Sequence, residues 1–145
     1  MLFTQKLTLA IVQFCMTKED YINYWKETSE QDWSSAEDLF KTKHYLQSLF
    51  FAHLTIEKIC KALWIADNET NHPPRIHNLV YLLKQTRIIL PEEKLDFLLL
   101  LNDFQLEGRY PDYQQKIYKS LSEAKAKEIL LQTNETRKWL LNNLP

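Results

Sequence analysis

Between Thr17 and Asn143 the apolar residues recur mostly at three- and four-residue intervals, the spacing of one face of an α-helix. The first such run covers about Thr17 to Thr42, with Tyr21, Tyr24, Trp25, Trp33, Ala36, Leu39 and Phe40 on its stripe. Thr17 suits an N-cap, and Glu19 and Asp20 place acids in the first turn, where the helix dipole favours them. Ser29 offers a second cap near the middle, so the run reads as one long helix or two shorter ones. The second run, about Tyr45 to Asp67, is the strongest. Leu46, Leu49, Phe50, Leu54, Ile56, Ile59, Cys60, Leu63 and Trp64 cover a wide face, which predicts a central helix with neighbours on more than one side. Pro73 and Pro74 end that pattern.

A short helix is predicted from about Asn78 to Thr86, with Leu79, Leu82 and Leu83 inward. Pro91 followed by two glutamates starts the next, which continues through Leu95, Leu98, Leu99 and Leu101 to about Phe104. Residues 107–112 hold the only glycine and another proline, and read as a loop. The last helix is predicted from about Ser120 to Asn143. Connections this short favour antiparallel neighbours, so the expected fold is an all-α, up-and-down bundle of four to five helices.

Composition agrees with that pattern. A β-rich chain needs many tight turns, and these draw on glycine, of which there is 1 in 145 residues. The length suits a single domain, assigned to residues 16–145. Residues 1–15 read as an N-terminal extension, with Met16 as the expected natural start. Leu7 to Cys15 is apolar but far short of the roughly 20 residues that a spanning helix needs. As a signal peptide it reads poorly, with Lys6 as the only basic residue and no small-residue cleavage site after it. The net charge of −1 supplies no global attraction for nucleic acid, so any anion site must be local. Two cysteines, Cys15 and Cys60, suggest neither a disulfide framework nor a metal site, and the default expectation is a reducing, cytoplasmic setting without metal.

Few residues carry recognisable chemistry. One glycine excludes a phosphate-binding P-loop or a dinucleotide loop within this sequence. His44 begins a helix and His53 sits mid-helix, where packing or surface roles are the plainer readings. Three features remain. Glu57 and Lys61 are four apart, in the favourable order for an ion pair; either they form a solvated, self-paired face, or Lys58 or Lys61 lines a cleft and meets a phosphate. His77 precedes the third helix, where it caps that helix, hydrogen-bonds a neighbour or serves a site. Arg109, Tyr110 and Asp112 share a loop. The arginine is a planar donor fork for phosphate and the tyrosine a stacking surface, or else Arg109 and Asp112 merely tie the loop down.

Taken in order, Trp33-Ser-Ser-Ala36-Glu-Asp-Leu39, Tyr45 to Ala52, Glu57-Lys58 with Lys61-Ala62-Leu63, His77-Asn-Leu79 with Leu82, and Arg109-Tyr110-Pro111-Asp112 resemble the HEPN family (higher-eukaryote and prokaryote nucleotide-binding domains). The likeness spans roughly residues 17–143. It implies a four- or five-helix bundle, frequent homodimers, and a cleft that takes a nucleotide or RNA. A partner nucleotidyltransferase of the minimal type, often in a toxin–antitoxin pair, is also implied. The ribonucleases of that family carry an arginine followed by four to six residues and a histidine. Here no histidine follows His77. The leading expectation is therefore a non-catalytic module binding a nucleotide-like anion or a partner near Lys58, Lys61, His77 and Arg109, with Glu57 and Asp112 orienting the basic groups or contacting a ribose. Two alternatives stand beside it: a metal-independent endoribonuclease pairing Arg109 with His77, and a purely structural adaptor. Four tryptophans exceed what one small core needs, so some are expected at the surface for association.

Overall fold

A computed structural model describes residues 15–107 and 121–145. Among these the chain forms five helices and no strand: α1 (Lys18–Lys41), α2 (Tyr45–Asp67), α3 (Leu79–Lys84), α4 (Glu92–Glu107) and α5 (Glu123–Asn142). The predicted all-α bundle is the fold.

The start of α1 is a reciprocal capping box. The Asp20 amide donates to Thr17 Oγ1 at 3.1 Å and the Thr17 amide donates to Asp20 Oδ2 at 2.8 Å, satisfying two donors that the helix cannot. The backbone hydrogen bond from Thr17 holds the Asp20 carboxyl below its ordinary range. The next residue joins two helices. Lys18 Nζ donates to the carbonyls of Ile65 (2.8 Å) and Asn68 (2.7 Å), placing a cation on the unsatisfied C-terminal end of α2. α1 runs unbroken through Ser29, contrary to the possible break there. The Ser29 hydroxyl donates back to the Lys26 carbonyl at 2.6 Å and is buried, so it does not cap a second helix.

The reversal after α1 uses Lys43, whose φ of 65° lies in the left-handed region. The His44 amide donates to Leu39 O (2.8 Å) and the Lys43 amide to Phe40 O (3.0 Å), the paired bonds of a Schellman turn. That turn lays α2 antiparallel on α1. α2 packs against all four other helices, and α3 also packs against α4. Its apolar residues Leu46, Leu49, Ile56, Ile59, Leu63 and Ile65 are fully or almost fully buried. Small residues bring the backbones of α1 and α2 close: Ala36 and Ala52 are buried, and the Ser48 hydroxyl donates to Ala36 O at 2.6 Å. Cys60 lies in the same core, where burial pushes its thiol pKa up and leaves it an unreactive small hydrophobe.

The remaining ends are capped locally. Asn78 Oδ1 accepts from the Tyr81 amide and Asn102 Oδ1 on α4 accepts from the Leu79 amide, so α3 begins on two side chains. The Ser122 hydroxyl accepts from the Lys125 amide at α5. No helix of the described residues is long and apolar enough to cross a membrane.

The tryptophans depart from expectation. Trp33 and Trp64 are buried, and Trp25 and Trp139 are half-buried, with Lys61 and Lys94 lying over their rings at 5.3 and 5.7 Å. The indoles serve as packing and cation-binding faces rather than as an open patch. The exposed large apolar residues are instead Met16, Tyr24, Tyr81, Ile89, Leu99, Leu100 and Leu131.

Because Leu49 is fully buried on the helix that all others contact, Leu49→Ala should leave a cavity that the fold closes only in part. The expected loss is about 3 kcal/mol, read as a lower urea midpoint with little change in slope.

Candidate functional site

The second half of α2 carries a carboxylate that the fold has removed from water. Glu57 is 4% exposed, and an unpaired carboxylate at that depth would cost several kcal/mol. Its charge is met from two directions. Lys61, one turn along α2 and 8% exposed, donates from Nζ to Oε1 at 2.8 Å. His77, from the connection between α2 and α3, places Nδ1 3.1 Å from both oxygens. Of the two readings of this motif, the solvated pair does not hold: the pair is buried, because the 68–78 connection folds back over this face of α2.

A second imidazole lies beneath. His53 Nε2 is 3.0 Å from the backbone carbonyl of His77, and a carbonyl can only accept, so this nitrogen carries the proton. Its Nδ1 is buried without a hydrogen-bond partner and sits 3.7 Å from Glu57 Oε2. Burial drives the His53 pKa down to about 4, against the opposing pull of the Glu57 charge and of the hydrogen bond that His53 donates to the His77 carbonyl. His53 is therefore a neutral strut holding the His77 backbone. The His77 side chain is 38% exposed; with Nδ1 donating to Glu57, its Nε2 is left as the nitrogen available to an outside group.

Lys58 turns away from this cluster. Its Nζ lies 2.6 Å from Asp32 Oδ2 on α1, a close ion pair whose geometry is not that of an aligned hydrogen bond. The two lysines of the motif thus answer to different carboxylates: Lys58 ties α2 to α1, and Lys61 stays with Glu57. The structure brings Glu57, Lys61 and His77 together and does not bring Lys58 to them. Arg109, Tyr110 and Asp112 lie outside the described residues.

Lys61 also opens onto a cleft. Its ammonium lies 5.3 Å above the Trp25 ring, and both belong to the wall of a hollow of about 460 Å³. Tyr21 and Tyr24 join Trp25 from the start of α1, and Asn71, His72 and Arg75 enter from the α2–α3 connection. The rings meet edge to face: Tyr21 and His72 at 5.8 Å, Tyr24 and Trp25 at 5.6 Å. Asn71 Oδ1 is buried with no donor. A larger hollow of about 690 Å³ lies among the end of α2, the α3–α4 connection and the end of α5, but its one arginine, Arg87, already lies 3.8 Å from Asp67.

Sequence reasoning missed most of this wall. Tyr21, Tyr24 and Trp25 read as part of an inward stripe, and no motif marks Arg75, which follows two prolines. The available signal was three aromatic rings within five positions at a helix start, which is more than one inward stripe requires.

A model of the HEPN domain family matches residues 22–144, most of the chain, and so all of α2 to α5 with nearly all of α1. The chain belongs to the HEPN domain family. No curated protein and no solved structure matches it. In this HEPN domain the matched span includes Glu57, Lys61 and His77, together with Tyr24, Trp25 and Arg75 of the cleft.

Two outcomes follow from the buried charges. Glu57→Gln keeps the shape but leaves Lys61 without its counter-ion, and should cost about 3 kcal/mol in urea denaturation. Adding Lys61→Met should restore much of that loss, the mark of a coupled pair.

The second concerns His53, which is neutral in the fold until about pH 4 but takes up its proton near 6.5 when unfolded. The unfolded chain therefore binds more protons between those values. This contribution to stability is whole above about pH 6.5 and falls as the pH drops toward 4, by at most about 3 kcal/mol. Denaturation at pH 5 and 7.5 should show a difference that His53→Gln reduces.

Proposed function

We propose that this HEPN domain is a non-catalytic binding module that takes a nucleotide-like anion in the cleft of Trp25, Lys61 and Arg75. The observation that carries the reading is the convergence of aromatic faces and two cationic side chains on one hollow. A base stacked on an aromatic side chain contributes about 1–3 kcal/mol. An arginine fork pairs with phosphate oxygens through charge-assisted hydrogen bonds. The volume of about 460 Å³ falls within the usual range for a small-molecule site. The missing arginine–histidine ribonuclease spacing supports a binding role. A homodimer and a partner nucleotidyltransferase of the minimal type, in a toxin–antitoxin arrangement, complete the proposal. Leu99 and Leu100 on α4 and Leu131 on α5 supply exposed apolar surface for such contacts.

One observation favours a second reading, a metal-independent endoribonuclease. His77 is held through Nδ1 by a buried carboxylate with Nε2 outward, the way a general-base imidazole is commonly oriented. RNA cleavage abolished by His77→Gln, with the fold retained, would establish that reading in place of the first.

Calorimetry with adenosine and uridine nucleotides at low salt tests the binding module. Arg75→Ala is exposed and should fold normally. It should weaken binding about tenfold, the worth of one charge-assisted hydrogen bond. Tyr24→Ala should weaken it by a similar factor. Binding that ignores both substitutions would remove the cleft as the site.

A further inference from the structure

The cleft has two cations in its wall, but they are not equally available. Lys61 is neutralised by Glu57 at 2.8 Å, a bond made inside the protein before any ligand arrives. Lys58, the nearest other lysine on α2, is committed to Asp32 at 2.6 Å and does not line the hollow. Arg75 does line it and takes part in none of the ion pairs among the described residues. Among the lysines and arginines of this wall, that leaves one positive charge without a paired carboxylate among the described residues.

From this charge balance we infer that the ligand carries a single phosphate group: one base and sugar unit with a phosphomonoester or a phosphodiester. This rests on the cleft being the nucleotide site. A diester carries one negative charge and a monoester about −1.5 to −2 near pH 7. Arg75 matches the first and, with polarisation by Lys61, serves the second. A triphosphate adds negative charge for which this wall holds no further unpaired lysine or arginine among the described residues. Tyr24 and Trp25 offer a base its aromatic wall, and Arg75 offers one phosphate its donor fork, on the same hollow.

The same chemistry comes from two sources, a free mononucleotide or one linkage of a single strand, and one titration separates them. Calorimetry in divalent-free buffer would compare adenosine 5′-mono-, di- and triphosphate with a dinucleoside monophosphate, on wild type and on Arg75→Gln. The expected result is Arg75-dependent binding whose affinity changes by less than about threefold from mono- to triphosphate. A dinucleoside monophosphate that binds tighter than the mononucleotide assigns the site to a strand, and the reverse order to a free nucleotide. Arg75-dependent binding that tightens by about tenfold or more with each phosphate overturns the inference and leaves the cleft standing. Absence of binding by every member removes the cleft and the inference together.

Discussion

The arrangement depends on one buried carboxylate. Glu57 is almost wholly removed from water, and a charge so placed must find partners within the fold. One partner, Lys61, comes from its own helix. The other, His77, comes from twenty residues along the chain, and it draws the α2–α3 connection onto α2. Once His77 is fixed, the backbone beside it is fixed too, since His53 donates to its carbonyl from below. The connection that delivers His77 is the one that delivers Asn71, His72 and Arg75 to the cleft. A polar contact inside the protein thus sets one wall of the hollow outside it.

The opposite wall is set by the pairing of α1 and α2. Lys18 binds the carbonyls at the end of α2, and Asp32 holds Lys58 further along. Between these two fastenings the first turns of α1 have little freedom to rotate, and Tyr21, Tyr24 and Trp25 lie on the side that meets Lys61. The capping box at Thr17 and Asp20 starts the helix where it does, three residues before the first of these rings. A shift of one residue would turn the rings by about 100° around the axis.

Much of this architecture was legible from periodicity and punctuation. The limits of α2 follow from a dense apolar run bounded by a polar turn and two prolines, and the start of α1 follows from Thr17 with its acids. Ser29 misled because a hydroxyl in mid-helix has two outlets, a cap or the carbonyl a turn behind, and the spacing does not choose between them. The candidate site was legible in part for a similar reason. Glu57 and Lys61 are a local pair that a helix must bring together. Whether that pair is solvated depends on what covers it, and the cover is the 68–78 connection. Tyr24 and Arg75 are fifty-one residues apart, and no local rule joins an aromatic helix start to a loop arginine. Lys58 could not be told from Lys61 without knowing that α1 presents Asp32 to one of them.

The division of labour around Lys61 also bears on how such a cleft binds. A free lysine side chain has much rotamer freedom to lose when it takes a ligand, on the order of 1.5–2 kcal/mol. Lys61 has lost that freedom on folding, between the Glu57 carboxylate and the Trp25 ring. It meets a ligand already oriented, but with its charge largely answered. Arg75 is the reverse: exposed and uncommitted among the described residues, with freedom to lose and a full charge to offer. In the proposed site, Lys61 and Trp25 therefore form a preformed floor that supplies shape, and Arg75 supplies most of the net attraction. Recognition divided in this way depends on the fit of a flat ring against the floor more than on the number of charges the ligand brings.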